Sequence, residues 1–240
     1  MCSSDLSYIL HKSRMKALFL RERDEKTNYA AILEEARAAG EYALRHAICF
    51  GTEEWESLLA CEPRPSNAPI ALDDPTNIQY TSGTTGSPKG VLLTHRNIMH
   101  NGYLIARGLR YTQDDRISLA VPFAHCFGNV IGTMCAVATG CALILPSAAF
   151  DPRAVLEAVE AERATSIYGV PTMFIAELRH LEFGKFDLSS LRTGVMAGAP
   201  CPIEVMKQVV SDMHCREMLI VYGLTETAPV LTMSAVDDDL

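Results

Sequence analysis

Residues 116–222 alternate short apolar runs with helix-patterned stretches, and this pattern narrows the fold more than anything else in the chain. Strand-length runs fall at 116–121, 141–145, 165–168, 191–196 and 218–222. Helical stretches fall at 95–108, from Gly128 to about Ala138, at 152–162, from Pro171 onward and at 202–212. Proline at the first position of a helix is tolerated because its missing N–H has no partner there anyway. Repeated βαβα predicts an α/β fold with mostly parallel sheets flanked by helices on both faces. In such sheets ligands bind beyond the carboxyl ends of the strands. Every chemistry-bearing segment described below follows a predicted strand, except the first, whose apolar strand-like run comes after it.

The region upstream is sparser. Residues 6–14 read as the end of an amphipathic helix and 17–20 as a short buried strand. A helix at 29–39 stops at Gly40, a strand follows at 47–50, and Thr52 caps a helix at 53–59. Residues 62–75 are linker-like, with Pro63, Pro65, Pro69 and Pro75. The chain has 240 residues, 48% hydrophobic and 21% charged, enough apolar material for one large domain or two small ones. Its net charge of −8 disfavours nonspecific binding to nucleic acid or anionic membrane, and no apolar run is long enough to span a bilayer. Eight cysteines (Cys2, Cys49, Cys61, Cys126, Cys135, Cys141, Cys201 and Cys215) include no CxxC pair. They read as reduced, mostly buried thiols of a cytosolic-type compartment. His95 and His100 are five apart, off the i, i+4 zinc pattern, and no GxSxG elbow is present.

The densest chemistry is residues 80–90, YTSGTTGSPKG. Gly83, Gly86 and Gly90 let backbone amides turn toward one point, and such a nest holds an anion. Thr81, Ser82, Thr84, Thr85 and Ser87 add hydroxyl donors, and Lys89 adds a mobile positive charge. A plain surface turn would not need so many hydroxyls beside a lysine, so the stretch is read as a phosphate loop. It is not a Walker A loop: Pro88 precedes the lysine, Gly90 follows it, and a strand comes next where that motif needs a helix.

Three further segments carry candidate residues. VPFAHCFG, ending at Gly128, places His125 between a strand and a helix, where an imidazole can orient an acid or simply cap the helix. Gly128, Gly132 and Cys135 give that helix a face of small residues, suited either to an acyl chain or to close packing. GVMAGAP contains Gly198, Ala199 and Pro200 and reads, unaided, as a strand-to-helix turn. YGLTET begins at Tyr222 and supplies a π-face for a base, a Thr225 hydroxyl for phosphate and a Glu226 carboxylate for a hard cation. Glu157, Glu160 and Glu162 read as a solvated helix face, and 237–239 as a surface turn.

Together, YTSGTTGSPKG and YGLTET resemble the signature segments of the adenylate-forming superfamily: acyl-CoA synthetases, luciferases and the adenylation domains of peptide synthetases. The resemblance implies that Thr81, Ser82, Gly83, Thr84, Thr85, Gly86, Ser87 and Lys89 hold the β- and γ-phosphates of ATP. It implies that His125 lies near the α-phosphate and the carboxylate being activated. Gly198, Ala199 and Pro200 would lie along adenine and ribose, with Ala197 standing where many relatives have glycine. Tyr222 and Gly223 would meet adenine, Thr225 the α-phosphate, and Glu226 a magnesium ion.

Two stretches, YGVPTMF from Tyr168 and MAGAPCP from Met196, with Val205-Met206-Lys207 after the second, resemble medium-chain fatty acyl-CoA synthetases of bacteria and mitochondria. The implied reaction joins a fatty acid to AMP and passes the acyl group to coenzyme A. Val170, Met173 and Phe174 would either line a fatty-acid tunnel or pack in the core. Two other functions stay open: an amino- or aryl-acid adenylating enzyme that loads a carrier-protein thiol, and a nucleotide-binding protein without catalysis. A buried acidic residue beside the acyl site would favour an amino acid.

The resemblance implies that residues 1–240 are part of the large N-terminal domain of that superfamily, with the small C-terminal domain expected to lie outside them. The chain alone is therefore expected to have little or no turnover. Residues 2–6 are open to two readings, as a translated sequencing adapter or, from Asp5, as the family's own helix. The expected location is cytoplasmic, or mitochondrial in a eukaryote.

Overall fold

A computed structural model describes residues 2–81 and 88–238. They fall into two compact units, residues 2–69 with 88–90, and residues 70–81 with 91–238.

In the first unit, helices α1 (Ser3–Ser13) and α2 (Tyr29–Ala39) bury Leu6, Leu10, Leu33 and Ala36 against one another. Asn28 caps α2 by accepting the Ala31 N–H at 2.9 Å, one of the donors that a helix start otherwise leaves unpaired. Strands β1 (Ala17–Leu20) and β2 (His46–Cys49) pair in parallel, from Ala17 opposite His46 to Leu20 opposite Cys49. Helix α3 (Glu53–Leu59) follows, with Thr52 as its cap. Residues 62–71 contain no helix or strand, in keeping with their prolines.

In the second unit lie β3 (Pro75–Thr81) and, from Val91 on, β4 (Lys89–Thr94), and these two strands form a two-stranded sheet. Thr94 and Asn97 then cap α4 (His95–Gly108) reciprocally, each side chain accepting the other's backbone N–H at 3.2 Å. A six-stranded sheet follows. Its strands are β5 (Arg116–Leu119), β6 (Ala142–Ile144), β7 (Ser166–Gly169), β8 (Thr193–Met196), β9 (Glu217–Gly223) and β10 (Val230–Met233). Their order across the sheet is β10-β9-β8-β7-β5-β6, and all pairs are parallel except β10 with β9. The mostly parallel α/β expectation is met.

Both faces of this sheet are covered, which is why its strands are mostly apolar, with Ser118, Ser166 and Thr193 as buried exceptions. On one face α4, a π-helix (Phe127–Met134) and α5 (Cys135–Thr139) bury Ile105, Phe127, Ile131 and Cys135 over Ile117, Leu119, Val195 and Leu219. On the other, α6 (Pro152–Glu162), α7 (Pro171–Leu178) and α8 (Ile203–Asp212) bury Val155, Leu156, Phe174, Met206 and Val209 over Ile167, Met196 and Met218. The connection leaving β5 runs over the first face and the one leaving β7 over the second. These neighbouring strands therefore part at their carboxyl ends, the switch point where open α/β sheets form a binding crevice.

Candidate active site

Beyond β5 the chain turns at 122–125 before the π-helix starts. The His125 side chain is exposed, and its Nδ1 accepts the Phe127 N–H at 3.0 Å. The helix-capping role considered for this histidine is thus present, and it leaves the other nitrogen for chemistry. With Nδ1 accepting, the proton of the neutral ring sits on Nε2 as an outward-facing donor. Gly128 is required here for steric reasons, because a Cβ at that position would run into the Pro122 carbonyl.

Beyond β9 comes a tight 3₁₀ turn, Thr225–Thr227. The Thr227 hydroxyl holds it by accepting the Leu224 N–H at 3.0 Å and donating to the Pro229 carbonyl at 2.6 Å. Gly223 permits this return: a side chain there would collide with the same Pro229 carbonyl. Asn101 of α4 then anchors the start of β10, donating to Val230 O at 2.8 Å and accepting from Val230 N at 3.1 Å. Motif spacing marks Thr227 as the last residue of YGLTET without giving it a role, and it does not mark Asn101. Asn101 sits 129 residues from its partner.

The turns after β5 and β9 meet. Cys126 Sγ lies 3.6 Å from Thr225 Oγ1 and 3.8 Å from His125 Nδ1. His125, Thr225 and Glu226 are therefore brought to one place from three strands apart. Tyr222 and Glu226 are exposed, and Glu226 makes no hydrogen bond or ion pair with a described residue. Gly198, Ala199 and Pro200 form an exposed turn beyond β8, between β7 and β9 in the sheet order. Gly198 has φ +83°, a conformation that favours glycine. Ala197 is buried and its N–H bonds to the Gly169 carbonyl at 3.2 Å.

Of the proposed phosphate loop, Ser82, Gly83, Thr84, Thr85, Gly86 and Ser87 lie outside the described residues. Thr81 closes β3 half-buried, and Lys89 opens β4 with an exposed side chain. Magnesium at a nucleotide commonly takes one or two carboxylates with phosphate oxygens and water. A single open carboxylate at Glu226 fits that demand, and no group of three metal-ligating side chains occurs among the described residues.

The small-residue face resolves toward packing. A Cβ on Gly132 would lie 2.6 Å from the Leu119 side chain, and Cys135 Sγ donates to the Gly102 carbonyl at 3.2 Å. Met173 and Phe174 are likewise core residues, divided between the two faces of the sheet.

A doubly covered, mostly parallel sheet with hydroxyl, imidazole and carboxylate groups at its carboxyl edge is the frame of an open α/β protein. The chain belongs to the AMP-binding enzyme family, whose model matches residues 3–240. It is 52% identical over 259 aligned positions to YngI of Bacillus subtilis (strain 168), which carries an acyl-CoA synthetase name, covering 98% of this chain and 47% of YngI. It is 33% identical to the mitochondrial medium-chain acyl-CoA ligase ACSF2 of Mus musculus, covering 99% of this chain and 43% of that one. Among solved structures, the inhibitor-bound N-terminal domain of FACL13 from Mycobacterium tuberculosis superposes with a TM-score of 0.83 at 25% identity, covering 99% of this chain and 58% of that one. The chain thus spans about half the length of YngI, 47%.

Proposed function

We propose that this chain supplies much of the adenylating site of an acid–thiol ligase, which activates a fatty acid with ATP and transfers the acyl group to coenzyme A. The observation that carries the reading is the meeting of His125 and Cys126 with Thr225 and Glu226 at the carboxyl edge. A carboxylate is a poor electrophile, and joining it to AMP gives it a good leaving group. The carboxylate oxygen attacks the α-phosphorus, pyrophosphate departs, and a thiol then displaces AMP from the acyl carbon. Two anions must be held together for the first step, so the site needs donors that require no reorganisation.

In this reading the Thr225 hydroxyl donates to the α-phosphate and His125 Nε2–H orients the incoming carboxylate. Tyr222 stacks on adenine above the Gly198–Pro200 turn. Lys89, with Thr81, Ser82, Gly83, Thr84, Thr85, Gly86 and Ser87, holds the outer phosphates. Glu226 would hold magnesium, which supplies charge neutralisation between the phosphates.

A medium-chain fatty acid is the preferred substrate class, in line with the names of the ACSF2 relatives. Burial supports it too. The two buried carboxylates among the described residues, Asp115 and Glu177, sit toward the amino ends of the strands, away from His125. No buried acid among the described residues is therefore placed to meet an amino group. No helix among the described residues is long and apolar enough to cross a membrane, and the proposed setting is the cytoplasm or the mitochondrial matrix. Carboxylate-dependent exchange of pyrophosphate into ATP, measured on the full-length gene product, tests the assignment. Exchange driven by medium-chain fatty acids supports it, and exchange driven only by amino or aryl acids moves the protein to the carrier-loading class.

A further inference from the structure

Cys126 is 1% exposed, yet its thiol has a polar partner. Leu93, Ile98, Val130 and Ala228 form the apolar cluster around it. Thr225 Oγ1 lies 3.6 Å from Sγ, across 99 residues of sequence. His125 Nδ1, at 3.8 Å, already accepts the Phe127 N–H. Among the described residues, this thiol makes the one hydrogen bond of the Thr225 side chain. A thiol is a weak donor and a weaker acceptor, and a hydroxyl has one hydrogen to give. If S–H donates to Oγ1, the Thr225 hydrogen is released for another acceptor. If the thiol were absent, the hydroxyl rotor would turn freely and spend part of its time pointing away from the site.

We propose that Cys126 is a positioning residue for adenylation: its S–H orients the Thr225 hydroxyl so that the hydroxyl hydrogen faces the α-phosphate. The proposal rests on the reading of Thr225 as a phosphate donor. The burial that shields the thiol also pushes its pKa up, and the Glu226 carboxylate adds to that push against the Thr225 hydrogen bond. Both effects favour the protonated thiol, the form able to donate to Thr225 Oγ1. Because Cys126 directly precedes the π-helix, the same contact ties the turn after β5 to the turn after β9.

The test is a double-mutant cycle on the full-length gene product, read both as the ATP dissociation constant by calorimetry and as kcat/KM for pyrophosphate exchange. Cys126→Ala should weaken kcat/KM roughly three- to tenfold, the range of one neutral hydrogen bond. Cys126→Ser, which keeps a donor, should stay within about twofold of wild type. In a Thr225→Val background the Cys126→Ala effect should vanish, because its only route is through the hydroxyl. Cys126→Val replaces the alanine variant if the latter does not fold.

A Cys126→Ala penalty that persists unchanged beside Thr225→Val, or a serine variant as impaired as alanine, overturns the proposal and makes Cys126 a packing residue. A wild-type protein that binds no ATP overturns both the proposal and the functional reading. ATP binding with an additive cycle overturns the proposal alone.

Discussion

The two edges of the six-stranded sheet use polar groups in opposite ways. At the amino edge they are spent on one another. Arg192, just before β8, donates to Asp115 at 2.9 and 3.0 Å, to Glu217 at 2.7 Å and to the carbonyls of Leu109 and Arg110. Asp115 also accepts from Thr165 at 2.7 Å and from the Thr112 backbone at 2.8 Å. Burial pushes Asp115 up, but these hydrogen bonds outweigh it and hold the carboxyl below its ordinary range. At the carboxyl edge His125, Tyr222 and Glu226 face solvent, and Glu226 has no described partner. One edge is satisfied and holds the strands together. The other keeps donor and acceptor capacity for a ligand.

That contrast breaks cleanly if it is wrong. The largest expected effect is at the open edge: Glu226→Gln should cut pyrophosphate exchange by about 10²-fold or more while leaving the urea midpoint near wild type. A stability loss from this exposed side chain would contradict its assignment to ligand binding.

Arg192→Ala should do the reverse. It leaves Asp115 buried without its main partner, and should cost about 3 kcal/mol in urea unfolding with ATP affinity retained in whatever protein stays folded. The same pair sets an acid limit. Because the folded Asp115 value lies below the ordinary 3.8, its contribution is present above pH 3.8 and is lost as pH falls through the lower folded value. A stability curve with the wild-type acid slope in Arg192→Ala would remove the pair from the account.

Gly223→Ala should destabilise the Thr225 turn by driving a methyl group into the Pro229 carbonyl. Its activity loss should exceed its loss of global stability, the latter being about 1–3 kcal/mol. Equal losses would mean that the glycine serves the fold and not the site.

Glu177 is the exception among the buried acids, away from the open edge and yet unsatisfied. It is 1% exposed in the core between α7 and the sheet, one of its oxygens has no partner, and desolvation raises its pKa well above 4.5. A buried acid held protonated contributes fully below pH 4.5, and its contribution falls as pH rises from there toward the folded value. Glu177→Gln should therefore raise the unfolding midpoint, by more at pH 8 than at pH 5. A gain independent of pH would show that the acid is ionised in the fold.

Where local chemistry sets the structure, the sequence was legible. Helix α4 was read with its observed ends, and Thr94 and Asn97 fix its start in the structure. Helix α2 was read from its stop at Gly40, α3 from its Thr52 cap and α7 from Pro171 at its first position. Strand β3 was missed because its residues, PTNIQYT, follow the proline-rich stretch and are mostly polar, with no alternating apolar pattern. Strand β10 was missed because its place is set by Asn101, on a distant helix. The π-helix passed for an ordinary one, since a run of small and apolar residues has no period that separates the two. Strand β5 ends two residues before the expected limit, where the chain leaves the sheet to bring His125 over its edge.

In the site, residue types were legible and their contacts were not. His125, Tyr222, Thr225 and Glu226 stand out because each pairs a chemical group with a strand end. The thiol–hydroxyl contact between Cys126 and Thr225 joins segments 99 residues apart and leaves no mark on either.

The most direct test is a calorimetric ATP titration of the full-length gene product in three forms: wild type, Thr225→Val and Arg192→Lys. Wild type and Arg192→Lys are expected to bind ATP alike, and Thr225→Val about ten- to a hundredfold more weakly, the range of one lost hydrogen bond to a charged group. Unchanged affinity in Thr225→Val, or a larger loss in Arg192→Lys, would contradict the placement of the nucleotide at the carboxyl edge.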